Sequence, residues 1–130
     1  MRFHHIGIAC HNIPETLKFI NKSFAVNDVS DIIFDEIQHV DLCLVTVNDG
    51  PYIELVSGKT VEKFLTKKQF LYHTCWQVDD IEQAIEKLYE NGAILISAPQ
   101  QAILFDNKRV AFLFSEIGII ELLEETVSAL

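Results

Sequence analysis

Two stretches of the chain repeat the same order of apolar and polar positions. HHIGIACHNIPETLKFINKSFA, from His4 to Ala25, aligns without gaps with YHTCWQVDDIEQAIEKLYENGA, from Tyr72 to Ala93, at a shift of 68 residues. In each stretch a short, largely apolar run carries a histidine near its start, His5 or His73, and ends at an Asx residue. Apolar positions at a spacing of three and four follow. The pattern predicts a strand and then an amphipathic helix, occurring twice.

Both predicted helices carry start signals. Asn12 is followed three residues later by Glu15, and Asp80 by Gln83, which is the spacing of a capping box. Gly92 closes the second helix, because glycine adopts the left-handed terminal conformation without a steric penalty. Helices are therefore predicted directly after both capping residues.

The repeat extends into the later strands. Glu54, between Ile53 and Leu55, matches Glu121, between Ile120 and Leu122, at a shift of 67 residues. Period-2 apolar runs predict further strands, and these are Val40 to Val47, Tyr52 to Val56, Ile94 to Ser97, Arg109 to Phe114 and Gly118 to Leu123. The segment from Val26 to Phe34 supports at most one short strand, and a tail is expected from Glu124 onward.

The order of elements is therefore a strand, a helix and about three strands, occurring twice within one domain of residues 1–130. Module one covers about residues 1–57, a linker with a short helix about 58–69, and module two about 70–124. This arrangement predicts the α+β class.

Composition narrows the class of function. A net charge of −9 argues against nucleic-acid binding, which requires a basic surface. No apolar run approaches the ~18 residues of a membrane helix, and the N-terminal MRFHHIGIAC lacks the pattern of a signal peptide. Cys10, Cys43 and Cys75 are odd in number and widely spaced, so they are interpreted as reduced thiols of a cytoplasmic protein.

The two histidines and two glutamates are the candidate site. Side chains alternate between the two faces of a strand, so His73 and Cys75 lie on one face and Trp76 on the other. Glu121 likewise lies on the face opposite to that of its apolar neighbours Ile120 and Leu122. The helices are expected to cover the apolar faces, which leaves the histidine and glutamate faces to line a cavity. A single strand histidine is usually a core or edge residue and a single strand glutamate usually faces solvent. The repeat changes that interpretation, because His5 with Glu54 and His73 with Glu121 are equivalent pairs.

Two imidazoles and two carboxylates suit one divalent metal ion, with water completing an open coordination shell. Zn, Ni, Co, Mn and Fe are all compatible with such a donor set. Because no thiolate is involved and coordination positions stay open, the site is of the catalytic type. His5, Glu54, His73 and Glu121 are therefore predicted to be metal ligands.

The ordered motifs HHIGIACHNIPETLKF, YIEL, HTCWQVDDIEQAIEKL and KRVAFLF followed by GIIELLE resemble the vicinal oxygen chelate superfamily over essentially the whole chain. That superfamily includes glyoxalase I and methylmalonyl-CoA epimerase. The resemblance implies two tandem βαβββ modules whose curled mixed sheets enclose a metal-centred cavity. The ligand positions of the family match His5, Glu54, His73 and Glu121.

The resemblance also implies a reaction class: an isomerase, epimerase or lyase that removes a proton α to a carbonyl of a substrate held through two adjacent oxygens. Glu121 or Glu54 is the expected base. The expected partner is a small-molecule substrate, with a CoA or thiol adduct as a candidate, and a homodimer is kept open. One departure matters: epimerases carry a second catalytic glutamate at a position that falls near Leu42 here, and Asp41 would point to the other face of the strand.

Two alternatives from other classes remain. A metal-free binding protein of the same fold usually lacks the ligand set, and a ring-cleaving dioxygenase generally uses two histidines and one glutamate in a longer chain. A smaller question concerns four lysines in the linker, Lys59, Lys63, Lys67 and Lys68, which with Lys108 and Arg109 would suit an anionic tail such as a CoA phosphate. A solvated linker face is the favoured interpretation of that cluster.

Overall fold

The computed structural model describes residues 1–125, and within them it contains nine strands and three α-helices. The strands are β1 (Arg2–Ala9), β2 (Val26–Val29), β3 (Ile33–Asp35), β4 (Val40–Val47), β5 (Tyr52–Ser57), β6 (Leu71–Val78), β7 (Ile94–Ala102), β8 (Lys108–Ser115) and β9 (Gly118–Glu124). The helices are α1 (Ile13–Ser23), α2 (Glu62–Thr66) and α3 (Ile81–Glu90). The mixed α+β class is as predicted.

The chain forms two units. The N-terminal unit is His5–Tyr72, and the C-terminal unit consists of Met1–His4 together with the chain from His73 onward. In the N-terminal unit the strands pair in the order β2-β4-β5-β1, with β3 also pairing β4. In the C-terminal unit the order is β6-β9-β8-β7. In the N-terminal unit, β1 and β5 are parallel and the other pairs are antiparallel. In the C-terminal unit, β6 and β9 are parallel and the other pairs are antiparallel.

Helix α1 covers one face of the N-terminal sheet. It begins after Asn12, whose side-chain oxygen accepts a hydrogen bond of 2.9 Å from the backbone N–H of Glu15. Ile13 and Ile20 are buried on the apolar stripe of the helix. They pack in one cluster with strand residues that share a face, namely Cys43, Val45 and Leu55. The helix-facing side of the sheet is therefore the apolar one, as strand alternation requires.

Helix α3 plays the same part in the C-terminal unit. Asp80 accepts a 3.0 Å hydrogen bond from the N–H of Gln83 at its start, and Gly92 follows its end with φ of +96°. Its buried residues pack with those of the strands beneath it, and the cluster comprises Val78, Ile81, Ala84, Ala93, Ala111, Leu113, Ile120 and Leu122. Both helices begin where the capping pattern predicts.

The register of the parallel pairs is the same in both units. Gly7 on β1 is the partner of Glu54 on β5, and Cys75 on β6 is the partner of Glu121 on β9. In each unit the histidine stands two residues before that partner, on the same face of the strand. The two shifts seen in the sequence, 68 and 67, therefore correspond to one conserved pairing geometry.

Three sequence predictions need correction. The segment after α1 forms two short strands, β2 and β3, instead of at most one, and both pair with the same edge of β4. Strand β7 continues to Ala102 instead of ending at Ser97, with irregular register around Ser97. Glu124 belongs to β9 and is buried, whereas a tail was expected from this residue onward. The rest of that predicted tail, residues 126–130, lies outside the described residues.

The helices between residues 1 and 125 are all too short or too polar to span a membrane.

Candidate metal centre

The first candidate pair lies in the N-terminal unit. His5 is on β1 and Glu54 on the parallel neighbour β5, and His5 Nε2 lies 3.7 Å from Glu54 Oε1. Their side chains are 0% and 4% exposed. A histidine and a glutamate this deeply buried are unusual, because burying ionisable groups is costly unless they are paired or coordinate a metal.

The second pair lies in the C-terminal unit and repeats the first. His73 Nε2 is 3.1 Å from Glu121 Oε1, and the side chains are 1% and 2% exposed. The imidazole of His73 also packs edge-to-face against Phe112, with ring centroids 5.5 Å apart. Phe112 lies directly across from Glu121 on β8, so the aromatic ring supports the orientation of the imidazole. Phe112, which is buried, thus lies on the same face of the sheet as Glu121.

The donor set of each pair fits a divalent first-row metal. Each offers one imidazole nitrogen and one carboxylate oxygen, which are ligands that such ions accept. Two neighbouring ligand atoms at ~2.0–2.2 Å from an ion are ~2.8–3.6 Å apart in octahedral or tetrahedral geometry. The separation of 3.1 Å between His73 and Glu121 lies within that range, and 3.7 Å between His5 and Glu54 lies just above it.

Apolar residues surround Glu54 on its own face of the sheet. Leu44 on β4 is its direct cross-strand neighbour, and Leu42, which is 2% exposed, lies opposite Val56 on the same face. Asp41 is exposed and belongs to the other face, as expected from strand alternation. The position near Leu42 that would hold a second carboxylate base is therefore hydrophobic.

A buried acid that the sequence reasoning missed lies on β3. Asp35 is 2% exposed and opposes Val40. Its carboxylate accepts hydrogen bonds from the backbone N–H groups of Ile37 and Gln38 and from Gln38 Nε2, at 2.9–3.1 Å. These bonds form an Asx turn that leads into β4. The sequence signal was an aspartate at the start of a polar turn, and its role is to shape that turn.

The three cysteines are buried and form no disulfide within residues 1–125. Burial raises the pKa of Cys10 and of Cys43 above its ordinary value, which keeps both in the unreactive thiol form. Cys75 is 0% exposed and is the strand partner of Glu121, so it lies beside the candidate ligand. All three are consistent with small hydrophobic residues of the interior.

Arg109 has a different role from the anion-binding one considered for it. Its Nε and Nη2 donate to the two oxygens of Glu124 at 3.0 and 2.9 Å, and Nη2 also contacts both oxygens of Glu82 at 2.9 Å. These carboxylates raise the pKa of Arg109 further above its usual range. Glu124 in turn accepts a hydrogen bond from the backbone N–H of Ile81, the first residue of α3. Arg109 and Glu124 thus tie β8 and β9 to the start of the helix.

We expect Arg109→Met to lower the free energy of unfolding by about 2–3 kcal/mol, because it leaves the buried carboxylate of Glu124 without its cation. Urea denaturation would measure the loss. The matched control is Arg2→Met, since Arg2 pairs with Glu125 at an exposed position where an ion pair contributes at most about 1 kcal/mol. Equal losses in the two variants would contradict the assigned role of Arg109.

The fold and the two pairs define a class: small α+β proteins built from two units of a strand, a helix and several further strands, each unit with a buried histidine and glutamate on one sheet face. The family model of the Glyoxalase/Bleomycin resistance protein/Dioxygenase superfamily matches residues 4–112. The chain belongs to this superfamily.

Methylmalonyl-CoA epimerases recur among the similar proteins. The mitochondrial methylmalonyl-CoA epimerase of Dictyostelium discoideum is 28% identical over 132 residues, covering 95% of this chain and 78% of that protein. The methylmalonyl-CoA epimerase of Mycobacterium tuberculosis is similar in structure, with a TM-score of 0.81 at 18% identity, covering 96% of this chain and 88% of that one. A variant of the Streptomyces coelicolor enzyme, in complex with 2-nitronate-propionyl-CoA, gives a TM-score of 0.75 at 23% identity, covering 100% and 99%.

Proposed function

We propose that this protein is a divalent-metal-dependent isomerase, epimerase or lyase that removes a proton α to a carbonyl. Its substrate would present two adjacent oxygens. The observation that carries the proposal is the recurrence of one buried histidine–glutamate pair in the same strand register in both units. Packing alone does not account for the recurrence, because apolar side chains would fill the same space without the cost of burying ionisable groups.

We propose that His5, Glu54, His73 and Glu121 together hold the metal. The nitrogen donors would be neutral imidazoles, and the two carboxylates would balance the charge of a divalent ion, so little net charge is buried. When bound, a divalent ion acts as a Lewis acid towards negative charge on a substrate oxygen. The carboxylate of Glu121 or Glu54 would accept the α-proton, since a carboxylate within hydrogen-bond reach can serve as general base.

The apolar surroundings of the pairs support this chemistry. Leu42 and Leu44 beside Glu54, and Phe112 beside Glu121, keep water from the carboxylates and strengthen electrostatic interactions there. Leu42 also restricts the outcome of the reaction. Because Leu42 is hydrophobic where a second base would lie, we expect proton exchange from one face of the α-carbon to outpace epimerisation.

The substrate proposed first is methylmalonyl-CoA or a closely related acyl-CoA thioester, since a relative of 28% identity is a methylmalonyl-CoA epimerase. The methylglyoxal–thiol adduct is the second candidate. Both present two neighbouring oxygens and an acidic α-proton, which is the chemistry that the donor set supports.

Protein purified without added metal should contain one divalent ion per chain by elemental analysis. Incubated in heavy water with methylmalonyl-CoA, it should catalyse incorporation of deuterium at the α-carbon, measured by mass spectrometry alongside the rate of epimerisation. Removal of the metal by chelation should abolish incorporation, and restoring the metal should recover it. If the metal-loaded protein binds either candidate tightly but exchanges neither, it is a binding protein and the proposed activity is wrong.

A further inference from the structure

The only dense cluster of positive charge in the sequence lies between residues 59 and 68, which we call the lysine segment. It carries Lys59, Lys63, Lys67 and Lys68 and one acid, Glu62, a net charge of +3 in a chain whose total is −9. The remaining 120 residues therefore carry −12. Lys59, Lys63 and Lys67 follow one another at intervals of four residues through the short helix α2 and its flanks. Like charges at this spacing destabilise a helix by about 0.2–0.5 kcal/mol per pair.

The lysine segment is not neutralised by the acidic residues of the chain. All four lysines are exposed, and among residues 1–125 no carboxylate lies within ion-pair distance of their ammonium groups. By contrast, Lys18 is paired with Glu15, and Arg109 with Glu82 and Glu124. Because these ammonium groups are exposed and form no ion pairs with the described carboxylates, they are available to an external anion.

The backbone of the lysine segment is held in place by the N-terminal unit. Val61 and Leu65 of the segment are buried. Just after it, the backbone carbonyl of Phe70 accepts a 2.7 Å hydrogen bond from the N–H of Ala9. Thr60 donates its hydroxyl to the carbonyl of Gln38 at 2.9 Å. The lysines therefore project from an anchored loop and helix.

The lysine segment follows directly on the strand that bears a candidate ligand. Glu54 is three residues before Ser57, the last residue of β5, which corresponds to ~10 Å along a strand. Ala9, whose N–H is hydrogen-bonded to Phe70, is the last residue of β1. Strand β1 also carries His5. The lysine segment therefore begins two residues beyond the end of the strand that carries Glu54.

We propose that the lysine segment binds the phosphate groups of the nucleotide tail of an acyl-CoA thioester. This inference rests on the proposed function and specifies its substrate class. Lysine ammonium groups are strongly hydrated point charges suited to phosphate oxygens. On a chain of charge −9, a local positive patch also offsets the repulsion that a polyanionic substrate would meet. Arg109, held by two carboxylates, takes no part.

Calorimetric titration with free CoA tests the binding directly. We expect Lys63→Gln/Lys67→Gln to weaken CoA binding about tenfold, since each lost surface charge pair contributes up to about a factor of five. Binding to the wild-type protein should also weaken as salt is raised. The matched control is Lys22→Gln/Lys87→Gln, which removes two lysines of α1 and α3 and should leave CoA affinity unchanged. Equal affinity in the test and control variants would overturn the proposal and leave the segment as a solvated linker.

Kinetics with two thioesters separate this proposal from the proposed function. Methylmalonyl-CoA carries the nucleotide, and the N-acetylcysteamine thioester of methylmalonate lacks it. We expect the Lys63→Gln/Lys67→Gln variant to raise KM about tenfold for the CoA thioester alone, with kcat unchanged for both. A KM change for both thioesters, or for neither, would contradict nucleotide binding. If neither thioester exchanges deuterium in the wild-type protein, the proposed function fails, while the CoA titration still decides the role of the lysines.

Discussion

Glu121→Gln is expected to lower the rate of α-proton exchange by at least ~10²-fold, because the amide retains an oxygen donor but cannot accept the proton. The substitution preserves the size of the side chain, which matters at a position that is 1% exposed. The rate would be followed as deuterium incorporation from heavy water, and metal content would be measured on the same sample. A variant that keeps its metal and loses exchange identifies Glu121 as the base.

Two further variants make that result specific. His11→Ala alters an exposed histidine outside both pairs and should exchange at the wild-type rate. Glu54→Gln tests the alternative base on the other strand pair. If Glu54→Gln loses exchange and Glu121→Gln retains it, the roles of the two glutamates are reversed. Full exchange in both variants would exclude either carboxylate as the base.

The repeat explains why so much of the fold could be predicted. Two copies of a strand with a capped helix are a stronger signal than either copy alone. Outside these copies, β4 was predicted with the ends that the structure shows. The shifts of 68 and 67 placed the two glutamates at equivalent positions, whereas the parallel pairing of their strands with those of the histidines was not predicted. The role of these histidines and glutamates as metal ligands stays a prediction.

What escaped prediction lies where tertiary pairing overrides the local pattern. Strand β7 contains Pro99 and pairs with only β8 within its unit, an arrangement that tolerates proline and irregular register but shows no alternation. Strands β2 and β3 are short because their ladder with β4 is interrupted at Ser30, whose hydroxyl, rather than its carbonyl, accepts the backbone N–H of Leu44. Glu124 appeared to belong to a polar tail because its partners, Arg109 and the N–H of Ile81, are distant in sequence.

Removal of one histidine ligand is expected to have the largest effect on metal binding. It also tests whether the two histidine–glutamate pairs hold one ion together. If a single ion is shared, His5→Phe and His73→Phe, which keep a ring but remove its donor atoms, should each reduce the bound metal from one ion per chain to nearly none after dialysis. Loss of a supporting residue around a metal ligand typically costs 10–100-fold in affinity, so loss of a ligand should cost at least ~100-fold. The matched control is His11→Phe at an exposed position, which should retain the wild-type metal content.

Stoichiometry distinguishes the shared site from two separate ones. If each histidine–glutamate pair held its own ion, the wild-type chain would bind two, and either single substitution would leave one. Thermal denaturation provides an independent readout, because an ion present at 100 times its Kd stabilises the folded chain by about 2.7 kcal/mol. A shared site predicts that both single variants lose this metal-dependent stabilisation completely. Retention of half the metal by either variant would contradict the four-ligand centre, since coordination by only one pair would then be sufficient.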